Sequence, residues 1–313
     1  MDTPIGIFAK HLTRSTPEEL FDAMAALGFN CTQFNAACLG LPSLPDTIDR
    51  TLWRRTARAA RAAGVTVVAL SATFNLLDED RSRLADNFRR LELLAQGATI
   101  LETDLLTLCT GTRSQQNMWI YHPDNQSPAA WRAMSEAMQR ALEIAIAYDV
   151  NLGIEPEVAN VVSSAEDAAR LFAQLDSDRI RIVFDPANLY RPPVDPRRDG
   201  SVITNALLLL GDRVAIAHCK DVAVPMLTPA AHDAHNGLYE HIAAGMGVLD
   251  YHHYLSELER LVPRNVPLIL HGLSEEQVPA SLSFMRKRLA EVAKSLEQDQ
   301  RLKNPAAGRF VSI

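Results

Sequence analysis

Short apolar runs alternate along the chain with amphipathic, helix-favouring segments. Residues 5–10 (IGIFAK) read as a first strand. Ser15 or Thr16 then caps a helix, with Pro17 in its first turn and Glu18 and Glu19 placed to meet the positive end of the helix dipole. Gly28 stops that helix. Further strands are predicted at 31–35 (CTQFN), 65–71 (VTVVALS) and 100–108 (ILETDLLTL). Four more end in IEPE at 154–157, IRIVFD at 180–185, VAIAHCK at 214–220 and PLILH at 267–271. Helices are predicted at 52–63, 81–96, 128–148, 164–175 and 279–296.

Runs such as VTVVAL and VAIAH are apolar on consecutive residues, as in a parallel sheet covered on both faces. Eight strand–helix units of this kind predict a single α/β domain, a (β/α)₈ TIM barrel over residues 1–297, with 298–313 as a polar C-terminal tail that frays or docks on a partner subunit. A doubly wound sheet is disfavoured, because no GxGxxG or P-loop pattern follows the first strand. Long connections at 109–128, after strand four, and 222–247, after strand seven, fall over the face where barrel active sites sit.

Composition narrows the picture. A chain of 313 residues with 47% hydrophobic content can bury a substantial core. The net charge of −7 without a basic block argues against a nucleic-acid partner. Cys31, Cys38, Cys109 and Cys219 show no CxxC spacing and read as free thiols. The N-terminal residues lack the apolar stretch and cleavage site of a signal peptide, and no window approaches a membrane span. A soluble cytoplasmic protein is expected.

Chemistry-bearing residues gather at the ends of the last four predicted strands. Glu155 and Glu157 flank Pro156 and point the same way, roughly 6–7 Å apart at the rise of a strand. Asp185 precedes Pro186, which marks the strand end, and Asn188 lies just beyond. His218 and Lys220 share a face, with Cys219 turned toward the helices; Lys220 suits an anionic or carbonyl oxygen, or a pair with Asp221. His271 ends the eighth strand. Parallel barrel strands converge at their carboxyl ends, so Glu155, Asp185, His218 and His271 form a candidate ligand set for one divalent cation. The plainer alternative is four unrelated polar caps. In the 109–128 connection, Thr110, Thr112, Arg113, Trp119, His122 and Asn125 offer the hydroxyls, cation, ring and amide that sugars favour. A surface loop pinned by Trp119 is the competing view. His232, His235 and His241 in the second long loop read as solvated rather than as a metal cluster.

The order Glu155, Asp185, His218–Cys219–Lys220–Asp221, then the GMGVLD turn at 245–250, resembles the xylose-isomerase-like TIM barrel superfamily. TGTR…MW…HPDN, IEPE…NVV and FDPANL narrow the resemblance to the sugar phosphate isomerase/epimerase family. It implies one divalent metal held by Glu on strand five, Asp on strand six, His on strand seven and Glu on strand eight. Glu155, Asp185 and His218 match; His271 stands where the family has Glu, and Met246 replaces a glutamate between two glycines. The exchange leaves two negative ligands rather than three, which favours Mn²⁺, with Zn²⁺, Fe²⁺ or Co²⁺ next, over Mg²⁺. The implied activity is isomerisation or epimerisation of a small keto-sugar, sugar acid or sugar phosphate through an enediolate. In that scheme Glu155 or Glu157 moves the proton, Lys220 assists, and Thr110, Arg113, Trp119, His122 and Asn188 bind substrate. Alternatives are a dehydratase or decarboxylase acting on a keto sugar acid, and a sugar-binding barrel without catalysis. An abasic-site endonuclease ranks below these on charge. A homo-oligomer fits the resemblance, and no membrane partner is expected.

Overall fold

The computed structural model describes residues 3–223, 239–263 and 265–303. β1 (Ile5–Phe8), β2 (Cys31–Phe34), β3 (Thr66–Ser71), β4 (Leu105–Leu108), β5 (Asn151–Ile154), β6 (Ile180–Phe184) and β7 (Val214–Ala223) pair in parallel, each with the next. A further antiparallel strand, β8 (Glu240–Ala243), lies on the distal half of β7, with Lys220 opposite Ala243. β9 (Leu268–Leu270) pairs with both β7 and β1 and closes the ring. The eight parallel strands make the predicted (β/α)₈ barrel. Around it lie α1 (Pro17–Leu27), α2 (Arg50–Ala62), α3 (Arg81–Leu101), α4 (Pro128–Ala147), α5 (Ala165–Leu175), α6 (Ser201–Leu210), α7 (Tyr251–Leu261) and α8 (Val278–Lys303). Among the described residues no helix is long and apolar enough to cross a membrane.

The helices start where short polar side chains can serve free backbone N–H groups. Thr16 and Glu19 form a reciprocal capping box on α1, and Asp49, Asp80, Ser127, Ser164 and Asp250 cap α2, α3, α4, α5 and α7. Each such cap contributes about 1 kcal/mol. Gly97 inside α3 has a packing reason: a Cβ there would sit 2.4 Å from the ring of the fully buried Trp53 on α2.

Several elements differ from the sequence expectation. Residues 100–101 of the predicted fourth strand finish α3, Glu102 caps it with φ 61°, and the strand is only Leu105–Leu108. Leu91, Leu94, Ala98 and Leu101 continue one buried helical stripe, so the apolar run at 100–101 belongs to the 3.6-residue period rather than to the strand. The last helix begins at Val278 and runs through Lys303, beyond the predicted 296, and residues 304–313 of the expected tail lie outside the described residues. α6, α7 and β8 occupy stretches for which the apolar pattern named no element.

Strand alternation builds the site. Cys31, Ala69, Leu105, Val183, Ile216 and Ile269, with Phe8, form a small apolar cluster inside the barrel, separate from the larger core between strands and helices. Successive inward residues on a strand are two apart. One step toward the carboxyl end, the same strands present Gln33, Ser71, Thr107, Asp185, His218 and His271, and β5 presents Glu155 two beyond Gly153. An apolar floor thus carries a polar layer.

Candidate metal centre and cavity

That layer opens into a cavity of about 640 Å³, lined among others by Lys10, Gln33, Asn35, Trp119, Glu155, Glu157, Lys220 and His271. On one side of it, ligand atoms of Glu155, Asp185 and His218 lie within 4.8 Å of one another. His218 Nδ1 stands 3.4 Å from Glu155 Oε1 and 3.4 Å from Asp185 Oδ2. Gln33 fixes the ring: its Nε2 donates to Thr107 Oγ1 at 3.3 Å, so its Oε1 faces His218 Nε2 at 2.8 Å and accepts a hydrogen bond from it. His218 Nδ1 therefore directs either a proton or a lone pair at two carboxylate oxygens. A lone pair there is repelled unless a cation lies between. His218 Nδ1 and Asp185 Oδ2 are buried and without hydrogen bonds. Two oxygens and one imidazole nitrogen, all buried or half-buried, fit a divalent cation with coordination positions left for water or substrate.

The remaining polar atoms hold these three in place. Lys220 Nζ lies 2.9 Å from Asp185 Oδ2 and donates to Asn188 Oδ1 at 2.9 Å; Asn188 Nδ2 donates to Glu155 Oε1 at 2.8 Å. The pair with Asp221 foreseen as an alternative for Lys220 is replaced by Asp185. The Asp221 carboxylate instead accepts from the backbone N–H groups of Val222, Gly245 and Leu249, pinning the GMGVLD turn. A Cβ at Gly247 would fall 2.3 Å from Asp221 Oδ1, which explains the glycine.

Electrostatics follow from burial and proximity. Burial opposes charge on His218, but Glu155 and Asp185 raise its pKa to about 9. Burial likewise opposes charge on Lys220 and Asp185; Asp185, Glu155 and Glu157 keep Lys220 above its usual value, and Lys220 and His218 hold Asp185 well below the usual carboxylate range. Burial pushes Glu157 up to about 7, with Lys220 opposing and the charges of Glu155 and Asp185 adding to the rise. His271 stands beside the cluster rather than within the group of three. Its ring centroid is 4.8 Å from that of His218, its Nδ1 is buried without a hydrogen bond, and burial together with the His218 and Lys220 charges holds it neutral.

The predicted sugar-binding loop after β4 divides differently. Trp119, 55% exposed, lines the cavity. The other named residues turn inward or away from it. Thr110 Oγ1 accepts from Val162 N at 3.0 Å, the His122 ring accepts from Asp124 N at 3.2 Å, and Arg113 reaches Ala129 O at 3.5 Å and Glu79 at 4.0 Å. Asn125 accepts from Arg113 N at 2.7 Å and donates to Thr112 Oγ1 at 3.0 Å and Ala159 O at 2.8 Å. Asn188, also expected to bind substrate, is fully buried between Lys220 and Glu155. His241 lines the cavity on β8, while His232 and His235 lie outside the described residues. Gln33, Lys10 and Asn35 were not singled out in the sequence, although Gln33 and Asn35 follow on β2 the same alternation that exposes His218 and Lys220, and Lys10 lies in the 3-10 turn just past β1.

A closed eight-stranded barrel with two carboxylates and an imidazole gathered beneath its carboxyl-end cavity defines the class of protein. Residues 21–288 match the sequence model of the xylose isomerase-like TIM barrel, and the chain belongs to that family. Over 96% of its length it superposes on a xylose isomerase-like TIM barrel/4-hydroxyphenylpyruvate dioxygenase fusion protein, with TM-score 0.70 and 16% identity, and spans 45% of that longer chain. It is also similar to the 3-keto-D-glucoside 4-epimerase of E. coli in its apo form (TM-score 0.68, 14% identity, 91% of this chain and 100% of that one). A third likeness is to an L-ribulose 3-epimerase (TM-score 0.67, 15% identity, 99% and 100%). At these identities the likenesses show the fold. No curated protein matches the chain by sequence.

Proposed function

We propose that the protein is a divalent-metal-dependent epimerase or isomerase of a small keto-sugar, sugar acid or sugar phosphate. The observation that carries this is the convergence of Glu155, Asp185 and His218 Nδ1 on one point beside the cavity, with His218 Nδ1 buried and without a hydrogen bond. Structural likeness to two sugar epimerases supports the substrate class. A bound cation would polarise a carbonyl oxygen and steady the charge that develops as the adjacent C–H bond breaks. Mn²⁺ is the expected ion, with Zn²⁺, Fe²⁺ or Co²⁺ as substitutes.

The chain's own residues do the rest. Asn188 orients Glu155 and relays the position of Lys220 to it. Glu157 is buried, lines the cavity and has a pKa near neutrality, so it is the candidate to take and return the substrate proton. Trp119 covers the rim and offers a ring to the apolar face of a sugar. His271 lines the cavity where the resemblance has a carboxylate and stands beside the cluster, so it is the candidate to fill that ligand's role toward the cation or the substrate.

A second reading, a dehydratase or decarboxylase on a keto sugar acid, draws on that same His271, because inversion of a carbon uses a base on each face. Incubating metal-loaded protein with keto-sugars in D₂O separates the two. Isomerisation or epimerisation exchanges one C–H without loss of water or carbon dioxide, stops on chelation and returns with Mn²⁺. Mass loss supports the lyase, and no exchange or turnover across the panel sinks both.

A further inference from the structure

The two sides of the cavity are unlike in charge. Glu155, Glu157 and Glu240 line the side built from β5 and β8, whereas the side built from β1, β2 and β3 contributes Lys10, Asn35, Ser71 and Thr73 and no carboxylate. Register places two of these together: Phe34 is opposite Leu70, so Asn35 and Ser71 continue neighbouring strands at one level, with strands about 4.8 Å apart. Lys10 lies in the 3-10 turn Ala9–His11 that follows β1, the neighbour of β2 on its other side, and lines the same wall of the cavity.

Their polar atoms are uncommitted. Lys10 Nζ lies 4.5 Å over the Phe8 ring, and among the described residues no carboxylate comes within ion-pair distance of it. Burial lowers its pKa, with the Glu155 charge opposing from across the cavity. Asn35 accepts from Ala37 N through its Oδ1, and among the described residues neither its Nδ2 nor the Ser71 hydroxyl makes a hydrogen bond. Lys220, the other cation of the cavity, is engaged by Asp185 and Asn188.

One ammonium, one amide N–H and one hydroxyl on the same wall balance a singly charged carboxylate, whereas a phosphate with up to two charges would be left under-compensated there. Building on the sugar reading above, we infer that the substrate is a keto sugar acid whose carboxylate is held by Lys10, Asn35 and Ser71 while its carbonyl faces Glu155, Asp185 and His218. The acid group then sets which end of the sugar reaches Glu157, so Lys10 determines specificity and orientation.

The test is calorimetric binding to the full, Mn²⁺-loaded chain with matched probes. These are 2-keto-D-gluconate against D-fructose, 5-keto-D-gluconate against L-sorbose, and D-fructose 6-phosphate. At least one acid should bind about tenfold or more tightly than its neutral counterpart, the size of one charge-assisted contact. Lys10→Met should abolish that preference by weakening the acid alone, and Lys10→Arg should restore most of it, with metal content and melting temperature unchanged in both. Equal binding of acid and neutral sugar, no binding of either acid, tightest binding of the phosphate, or a preference that survives Lys10→Met would each overturn the inference. An acid preference without turnover would retain this wall and sink the epimerase reading. Turnover of neutral sugars without an acid preference would do the reverse.

Discussion

The strand ends of β5, β6 and β7 and the connection after β4 carry similar side chains, yet they do opposite things with them. At the strand ends, Asp185 Oδ2 and His218 Nδ1 face each other at 3.4 Å with no hydrogen bond. In the connection, Asn125 and Thr112 close on backbone, and Asn160 from the loop after β5 ties the same segment: it accepts from Gly111 N at 2.6 Å and donates to Met118 O at 3.0 Å. Polar atoms that satisfy one another build a scaffold, whereas buried polar atoms left facing one another leave room for a ligand. Residue type does not distinguish the two regions; the partners do.

The sharpest way to break this contrast is Asp185→Asn. Removing a buried carboxylate takes away one ligand and strands the Lys220 ammonium, which costs about 3–5 kcal/mol. Metal measured by elemental analysis should fall to background and the melting temperature should drop. Wild-type metal content in the variant would remove Asp185 from the centre. Asn125→Ala probes the other region. It leaves Arg113 N and Ala159 O without their side-chain partner, while Thr112 Oγ1 keeps Ile120 O and Ser114 N, a loss of about 2–4 kcal/mol in denaturant unfolding, with metal content unchanged from wild type. Loss of metal with little change in stability would mean that the connection belongs to the centre after all. The smallest effect is expected for His271→Glu, which restores the family carboxylate at a cavity-lining position. Competitive titration should show affinity for Mg²⁺ rising several-fold relative to Mn²⁺, with a stability change of about 1 kcal/mol or less. Unchanged selectivity with a lowered melting point would make His271 a packing residue against His218.

Much of the architecture was legible because parallel strands covered on both faces are written as consecutive apolar residues, and Glu155, Asp185 and His218 close three of them. Leu101 shows where this reading fails: an apolar residue ending a helix looks the same as one starting a strand until the three-to-four spacing back to Leu94 and Ala98 is weighed. β8 escaped because it lies inside a connection whose polar composition hides a short antiparallel partner of β7. Lys10, Gln33 and Asn35 escaped for another reason. They are not the residue types sought as metal ligands, although the two-residue step that reveals His218 and Lys220 applies equally to Gln33 and Asn35 on β2; Lys10 sits in the 3-10 turn after β1. For Lys220 the sequence offered the adjacent Asp221, and only the fold brings Asp185 to it, because the GMGVLD turn claims Asp221.

The hydrogen bond between Gln33 and His218 would make the proposed centre an ion exchanger. With Nε2 tied to Gln33, the extra proton of the ring sits on Nδ1, the same atom that faces Glu155 and Asp185, and those carboxylates raise the pKa to about 9. A cation entering the cluster would displace a proton from an atom already aimed at it, without rotation of the ring. Loading would then acidify the medium and weaken as acid is added, and the heat of uptake would depend on the buffer that receives the proton.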